Sequence, residues 1–171
     1  MSIFYYLATK ANGSQLRFST ERRRFDKEVW IQRSVTRVDG NWYSATAVDA
    51  IDFTSTQDII LTGIGLYTGY PGIGYEVEIL RSTQSLFKKK LRVLSTKDES
   101  QVKVSVNEPI FMKAGVLYSV TVLCHGNICH FAQLCRPVCT TSNVTFSFSP
   151  SHHSHRTNHF YGQIPRLYFL F

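Results

Sequence analysis

With 171 residues, 43% of them hydrophobic and 13% aromatic, the chain is the size of one domain and carries enough apolar surface for a packed core without disulfide or metal staples. Its formal charge of +7 suits an acidic partner, while no run approaches the roughly 20 apolar residues of a membrane span and Ile3 to Leu7 is too short for a secretory segment. The four cysteines, Cys124, Cys129, Cys135 and Cys139, are bunched together instead of being spread as a disulfide framework, which points to a reducing, cytoplasmic compartment.

Residues 1–24 lack the strand-and-turn rhythm of the rest of the chain and end in Arg22-Arg-Arg24, so they are read as an edge strand or linker ahead of a domain over residues 25–171. Val29 to Ile31, Ala50 to Phe53 and Ile59 to Tyr67 are rich in β-branched and aromatic residues, which predicts strands. Gly69-Tyr-Pro-Gly-Ile-Gly74 supplies residues that tolerate positive φ and predicts a hairpin loop with an exposed Tyr70. Tyr75-Glu-Val-Glu-Ile79 alternates, with Glu76 and Glu78 on the solvent face, and Lys88-Lys-Lys90 reads as a solvated loop or a lysine-guarded sheet edge. Gln101 to Val106 puts Val102, Val104 and Val106 on one face, and Val106-Asn-Glu-Pro109 predicts a turn before a strand over Pro109 to Met112.

After the turn Lys113-Ala-Gly115, the run Tyr118 to Val122 alternates again, and periodicity then lapses from His125 to Thr141, which predicts a long loop. Val144-Thr-Phe-Ser-Phe-Ser149 points Phe146 and Phe148 inward, Ser151 to Asn158 is a polar, histidine-rich loop, and Leu167 to Phe171 closes the set. No window shows a helical repeat. Short strands at this spacing predict an all-β fold, an antiparallel sandwich or barrel.

Chemistry has little purchase in these residues. The cysteines, with His125 and His130, offer thiolate and imidazole, but the gaps of four, five and three residues between them do not match zinc knuckles, so no metal is expected. His152-His-Ser-His155 with His159 has no nearby carboxylate to orient an imidazole, and Asp49 and Asp52 read as caps at a strand entry. There is no nucleophile elbow, no dinucleotide fingerprint around Gly63-Ile-Gly65 and no phosphate loop, so catalytic residues and cofactors are expected to be none. The basic runs and the Cys/His loop leave a metal- or nucleic-acid-binding β-domain as an alternative class, with nucleic acid the less favoured partner. Aromatics in predicted loops, Tyr70, His159, Phe160 and Tyr161, instead suit a recognition surface for protein.

Taken together, Arg37-Val-Asp-Gly-Asn-Trp42, Asp49-Ala-Ile-x-Phe53, Gly63-x-Gly65-Leu-Tyr-x-Gly69, Glu108-Pro109, Ala114-Gly115, Val144-Thr-Phe-x-Phe148 and Gly162-Gln-Ile-Pro165 resemble, in order, the PHR domain. That module belongs to the giant Pam/Highwire ubiquitin ligases and also occurs in BTB-type adaptors of cullin ligases. The resemblance implies an antiparallel two-sheet β-sandwich, monomeric as an isolated domain, with no catalysis of its own. It further implies a protein-interaction role in a ubiquitin-ligase complex of the cytoplasm, axon and synapse. Tyr70, Pro71 and Gly72 in the predicted hairpin, with His159, Tyr161 and Gln163 beside the last strand, are the expected partner-binding residues.

Overall fold

The computed structural model describes residues 27–34, 36–42, 47–67, 73–92, 101–125, 129–155 and 158–171. These residues form the strands β1 (Val29–Gln32), β2 (Thr36–Trp42), β3 (Val48–Ser55), β4 (Ile59–Tyr67), β5 (Gly74–Arg81) and β6 (Gln84–Arg92). They continue with β7 (Gln101–Met112), β8 (Tyr118–His125), β9 (Cys129–Gln133), β10 (Val138–Thr141), β11 (Val144–Pro150) and β12 (Arg166–Leu170). Among the described residues there is no helix, and hence none long and apolar enough to cross a membrane.

Every pairing is antiparallel. One sheet runs β1-β12-β4-β7, a second runs β10-β11-β3-β8-β5-β6, and β2 and β9 form a separate two-stranded ribbon. The alternating positions face one core: Tyr75, Val77 and Ile79, Tyr118, Val120 and Val122, and Val144, Phe146 and Phe148 from the larger sheet meet Leu61, Ile64, Leu66, Leu167 and Phe169 from the smaller. Phe146 and Phe169 bridge the two sheets edge to face, with ring centroids 4.9 Å apart. The architecture is therefore a two-sheet sandwich. Each fully buried side chain of this size contributes about 1.5–3 kcal/mol relative to exposure.

The parity of β4 shows why Gly63 and Gly65 stand where they do. Ile59 and Leu61 point inward at odd positions, whereas Ile64 and Leu66 point inward at even ones, so one residue must be bulged out between them. Registers with both β7 and β12 shift at Thr62. A Cβ at Gly65 would lie 2.8 Å from Arg166 Cβ, so the strand passes there as glycine, while at Gly63 a Cβ would displace the Lys103 side chain and press on the Val104 carbonyl at 3.0 Å.

Several sequence expectations need correction. Val106-Asn-Glu-Pro109 is not a turn: β7 runs through it, and the register jumps from Leu61↔Ile110 to Gly63↔Ser105, so the extra residues swell into a bulge that accommodates Pro109, which has no N–H to donate. The expected loop from His125 to Thr141 contains β9 and β10. Asp49 does stand at the entry of β3, but Asp52 lies inside the strand, where it accepts a 2.6 Å hydrogen bond from Ser119 Oγ across to β8. Of the two readings of Lys88 to Lys90, the lysine-guarded sheet edge holds, since they lie on the edge strand β6. There Lys88 and Lys90 reach Glu76 at 2.8 and 3.0 Å, so the run is matched by acids on β5. Residues 1–24 and the hairpin residues Tyr70, Pro71 and Gly72 lie outside the described residues.

Candidate functional site

Strand register gives the sandwich two unlike ends. At one end lie the tight connections Thr56–Asp58, Ser82–Thr83, Lys113–Leu117 and Ser142–Asn143. They brace each other: Gly115 N–H donates to Ser55 O at 2.8 Å, Thr56 N–H to Thr145 O at 2.9 Å, and Ala114 N–H to Asp58 Oδ1 at 2.9 Å. From the opposite end leave the connections β4 to β5, β6 to β7, β8 to β9 and β11 to β12, and the β2–β9 ribbon sits there as well. The two longest of these connections, residues 93–100 and 151–165, leave from this end, and loops on a rigid scaffold are the usual place for recognition.

The loop end is organised around Gly162 to Pro165, which is threaded between four elements. Gly162 exchanges backbone hydrogen bonds with Ala132 of β9, N–H to O at 3.1 Å and O to N–H at 2.8 Å. Gln163 O accepts from Tyr67 N–H at the end of β4 at 3.1 Å, and Pro165 O accepts from Arg33 N–H beyond β1 at 2.9 Å. Gln163 N–H donates to Asp49 Oδ2 at the start of β3. Gly162 has a φ of 156°, and a Cβ there would lie 2.7 Å from Asp49 Oδ2, so only glycine lets the chain pass the carboxylate. Two motifs far apart in sequence, Asp49 and Gly162-Gln163, are thus two halves of one junction.

Tyr67, Ala132 and Cys135 form a small apolar cluster beneath this junction, and Tyr67 Oη lies 3.3 Å from Ser34 Oγ. Burial pushes the Tyr67 phenol up, against the opposing effect of Ser34 and of Arg166 and Arg33. Burial also pushes the Cys139 thiol up, with Arg136 and Arg33 offsetting part of the rise, so it stays a neutral, unreactive thiol near neutrality. Cys124 is buried, Cys135 and Cys139 are free and buried, and among the described residues no group of three or more His, Cys, Asp or Glu is disposed to hold a metal.

Above the junction, Asn158 Oδ1 accepts from Phe160 N–H at 2.8 Å and Asn158 pairs with Tyr161, making a turn with His159 and Phe160 at its tip. Phe160 is 49% exposed, and its carbonyl accepts from Cys135 N–H at 2.9 Å. That bond brings the turn beside Leu134, which is 81% exposed at a φ of 56°. A bulky residue in the left-handed region costs about 1–2 kcal/mol, and here no tight hairpin requires it.

Of the expected binding residues, the structure gathers His159, Tyr161 and Gln163 at this end, while Tyr70, Pro71 and Gly72 belong to the connection between Tyr67 and Ile73, outside the described residues. His159 and Tyr161 are half-buried, and Gln163 is 1% exposed, holding the turn in place from below. Leu134, Val138 and Arg33 were not singled out by sequence, because no local pattern announces a left-handed leucine or an inward arginine.

The family model for the PHR domain matches residues 32–170. The chain belongs to the PHR domain family. The match begins at Gln32, the last residue of β1, and runs through β12, so it takes in strands of both sheets, the ribbon and the Asp49–Gly162 junction of this PHR domain. No curated protein matches the chain.

Proposed function

We propose that this PHR domain is a non-catalytic protein-interaction module of a Pam/Highwire-type ubiquitin ligase, recruiting or localising partners in the ubiquitin-dependent control of synapse and axon development. Its setting is the cytoplasm, including axon and synapse, and its partner is a protein of the ligase complex. The observation that carries the mechanism is the asymmetry of the sandwich, with braced turns at one end and the Asn158–Tyr161 turn seated on the Asp49–Gly162 junction at the other. Tyr70, Pro71, Gly72, His159 and Tyr161 make the contacts in this reading, and Gln163 positions them. The test is affinity capture from neuronal lysate with the wild-type domain and a Tyr70→Ala/Tyr161→Ala variant, read by quantitative mass spectrometry. Loss of particular proteins with an unchanged melting curve supports the reading; equal capture by both removes these residues from it.

A further inference from the structure

Arg33 is the group least accounted for in this PHR domain. It follows β1 at the seam where β1 runs beside β10, and it is 3% exposed. Its main chain is engaged, donating to Pro165 O at 2.9 Å and accepting from Arg136 N–H at 2.7 Å. Its side chain is engaged only in part: among the described residues Nε and Nη1 are buried without a hydrogen-bond partner, and the guanidinium lies over the Phe148 ring, 5.7 Å from the centroid. A guanidinium stays cationic in a protein interior, and withdrawing a cation from water without an acceptor destabilises the fold.

The surroundings do not compensate. Among the described residues, the neutral Tyr67 phenol and Cys139 thiol lie within electrostatic reach of Arg33, and Arg136 adds a second cation beside Cys139. Residues 109–171, which supply the strands and turns around it, contain no Asp or Glu. Asp49, the buried acid of this end, is bonded to Gln163 N–H. Over Arg33 the surface is apolar and open, with Leu134 81% and Val138 55% exposed on either side of the exposed Arg136 and Pro137, and with Phe160 adjacent through its bond to Cys135.

A desolvated cation under an exposed apolar rim is complementary to one kind of ligand. We propose that Arg33 is the anion anchor of the loop end. In this proposal, which rests on the loop-end reading above, the partner segment is an acidic peptide. A Glu or Asp carboxylate enters at the Leu134–Pro137 crossing to pair with Arg33, and a neighbouring apolar side chain packs on Leu134 and Phe160. The site trades stability of the free domain for recognition.

The 171-residue chain, wild type and Arg33→Met, is titrated with an acetylated, amidated peptide of alternating glutamate and leucine, with its glutamine–leucine counterpart, and with sodium phosphate. The readouts are the Arg33 Nε–H resonance and the melting temperature. The glutamate peptide should shift the resonance and, at about tenfold over its Kd, raise the wild-type midpoint by about 2 °C or more, and the glutamine peptide should do neither. Arg33→Met should melt no lower than wild type without peptide and should not respond to it. A much lower midpoint for Arg33→Met would make the arginine structural and overturn the proposal. A response to phosphate but not to peptide overturns the acidic-peptide assignment, and no response to either overturns the site. A peptide response that survives Arg33→Met overturns the anchor while leaving recognition by the loop end intact.

Discussion

Replacing Gly162 by alanine tests the junction on which the loop end is built. The new methyl carbon would sit 2.7 Å from Asp49 Oδ2 and 2.9 Å from Oδ1, closer than carbon and oxygen can approach without bonding. Either the carboxylate swings away and the Gln163 N–H loses its charged acceptor, at about 1.5–3 kcal/mol, or the loop shifts and strains, at about 1–3 kcal/mol. The expected loss is therefore about 1–3 kcal/mol, which for a domain of this size lowers the melting temperature by roughly 5 °C. Urea unfolding of wild type, Gly162→Ala, Asp49→Ala and the double variant measures it. Because the clash is with the carboxylate itself, Gly162→Ala should cost at least about 1 kcal/mol less when Asp49 is already alanine. A loss below about 0.5 kcal/mol in the single variant, or strict additivity in the cycle, would refute the junction.

Other expectations bear on the scaffold. Phe146→Ala removes a fully buried ring at the meeting of the two sheets and should cost about 3–5 kcal/mol by denaturant titration. Hydrogen bonds from Lys88 and Lys90 hold the Glu76 carboxyl down to about 2, so its contribution is fully present above pH 4.5 and fades as pH falls from there towards 2. Carbon-detected NMR titration should show this, with Lys88→Ala moving Glu76 back towards 4.5. The Cys139 thiol, raised by burial, should react with a disulfide reagent far more slowly in the native domain than in urea at about pH 8.

What the sequence made legible was what short-range physics controls. Alternation at Tyr75 to Ile79, Tyr118 to Val122 and Val144 to Ser149 is imposed by a pleated strand with one buried face, and the core confirms it residue by residue. The sequence offered Lys88 to Lys90 as a sheet edge or a loop without deciding between them, because an edge strand with much of its surface in water needs no apolar alternation; in β6 Lys88 is answered by Glu76 and Glu78 on the neighbouring strand. The short strands β9 and β10 were hidden by the same lack of pattern, since their place is fixed by partners far along the chain, Thr36 to Trp42 for β9 and the hairpin with β11 for β10. At the loop end the motif Gly162-Gln-Ile-Pro165 was visible, but its contact with Asp49 was not, because it joins positions 114 residues apart at Gln163. Leu134 in left-handed backbone and Arg33 turned inward leave no sequence trace at all.

Hydrogen–deuterium exchange of the domain alone and bound to a captured partner tests the central claim most directly. Recognition by the loop end expects slowed exchange over residues 131–136 and 158–165, with Thr56–Asp58, Ser82–Thr83, Lys113–Leu117 and Ser142–Asn143 unchanged. Protection centred on those tight turns, or along the lysine edge of β6, would contradict it.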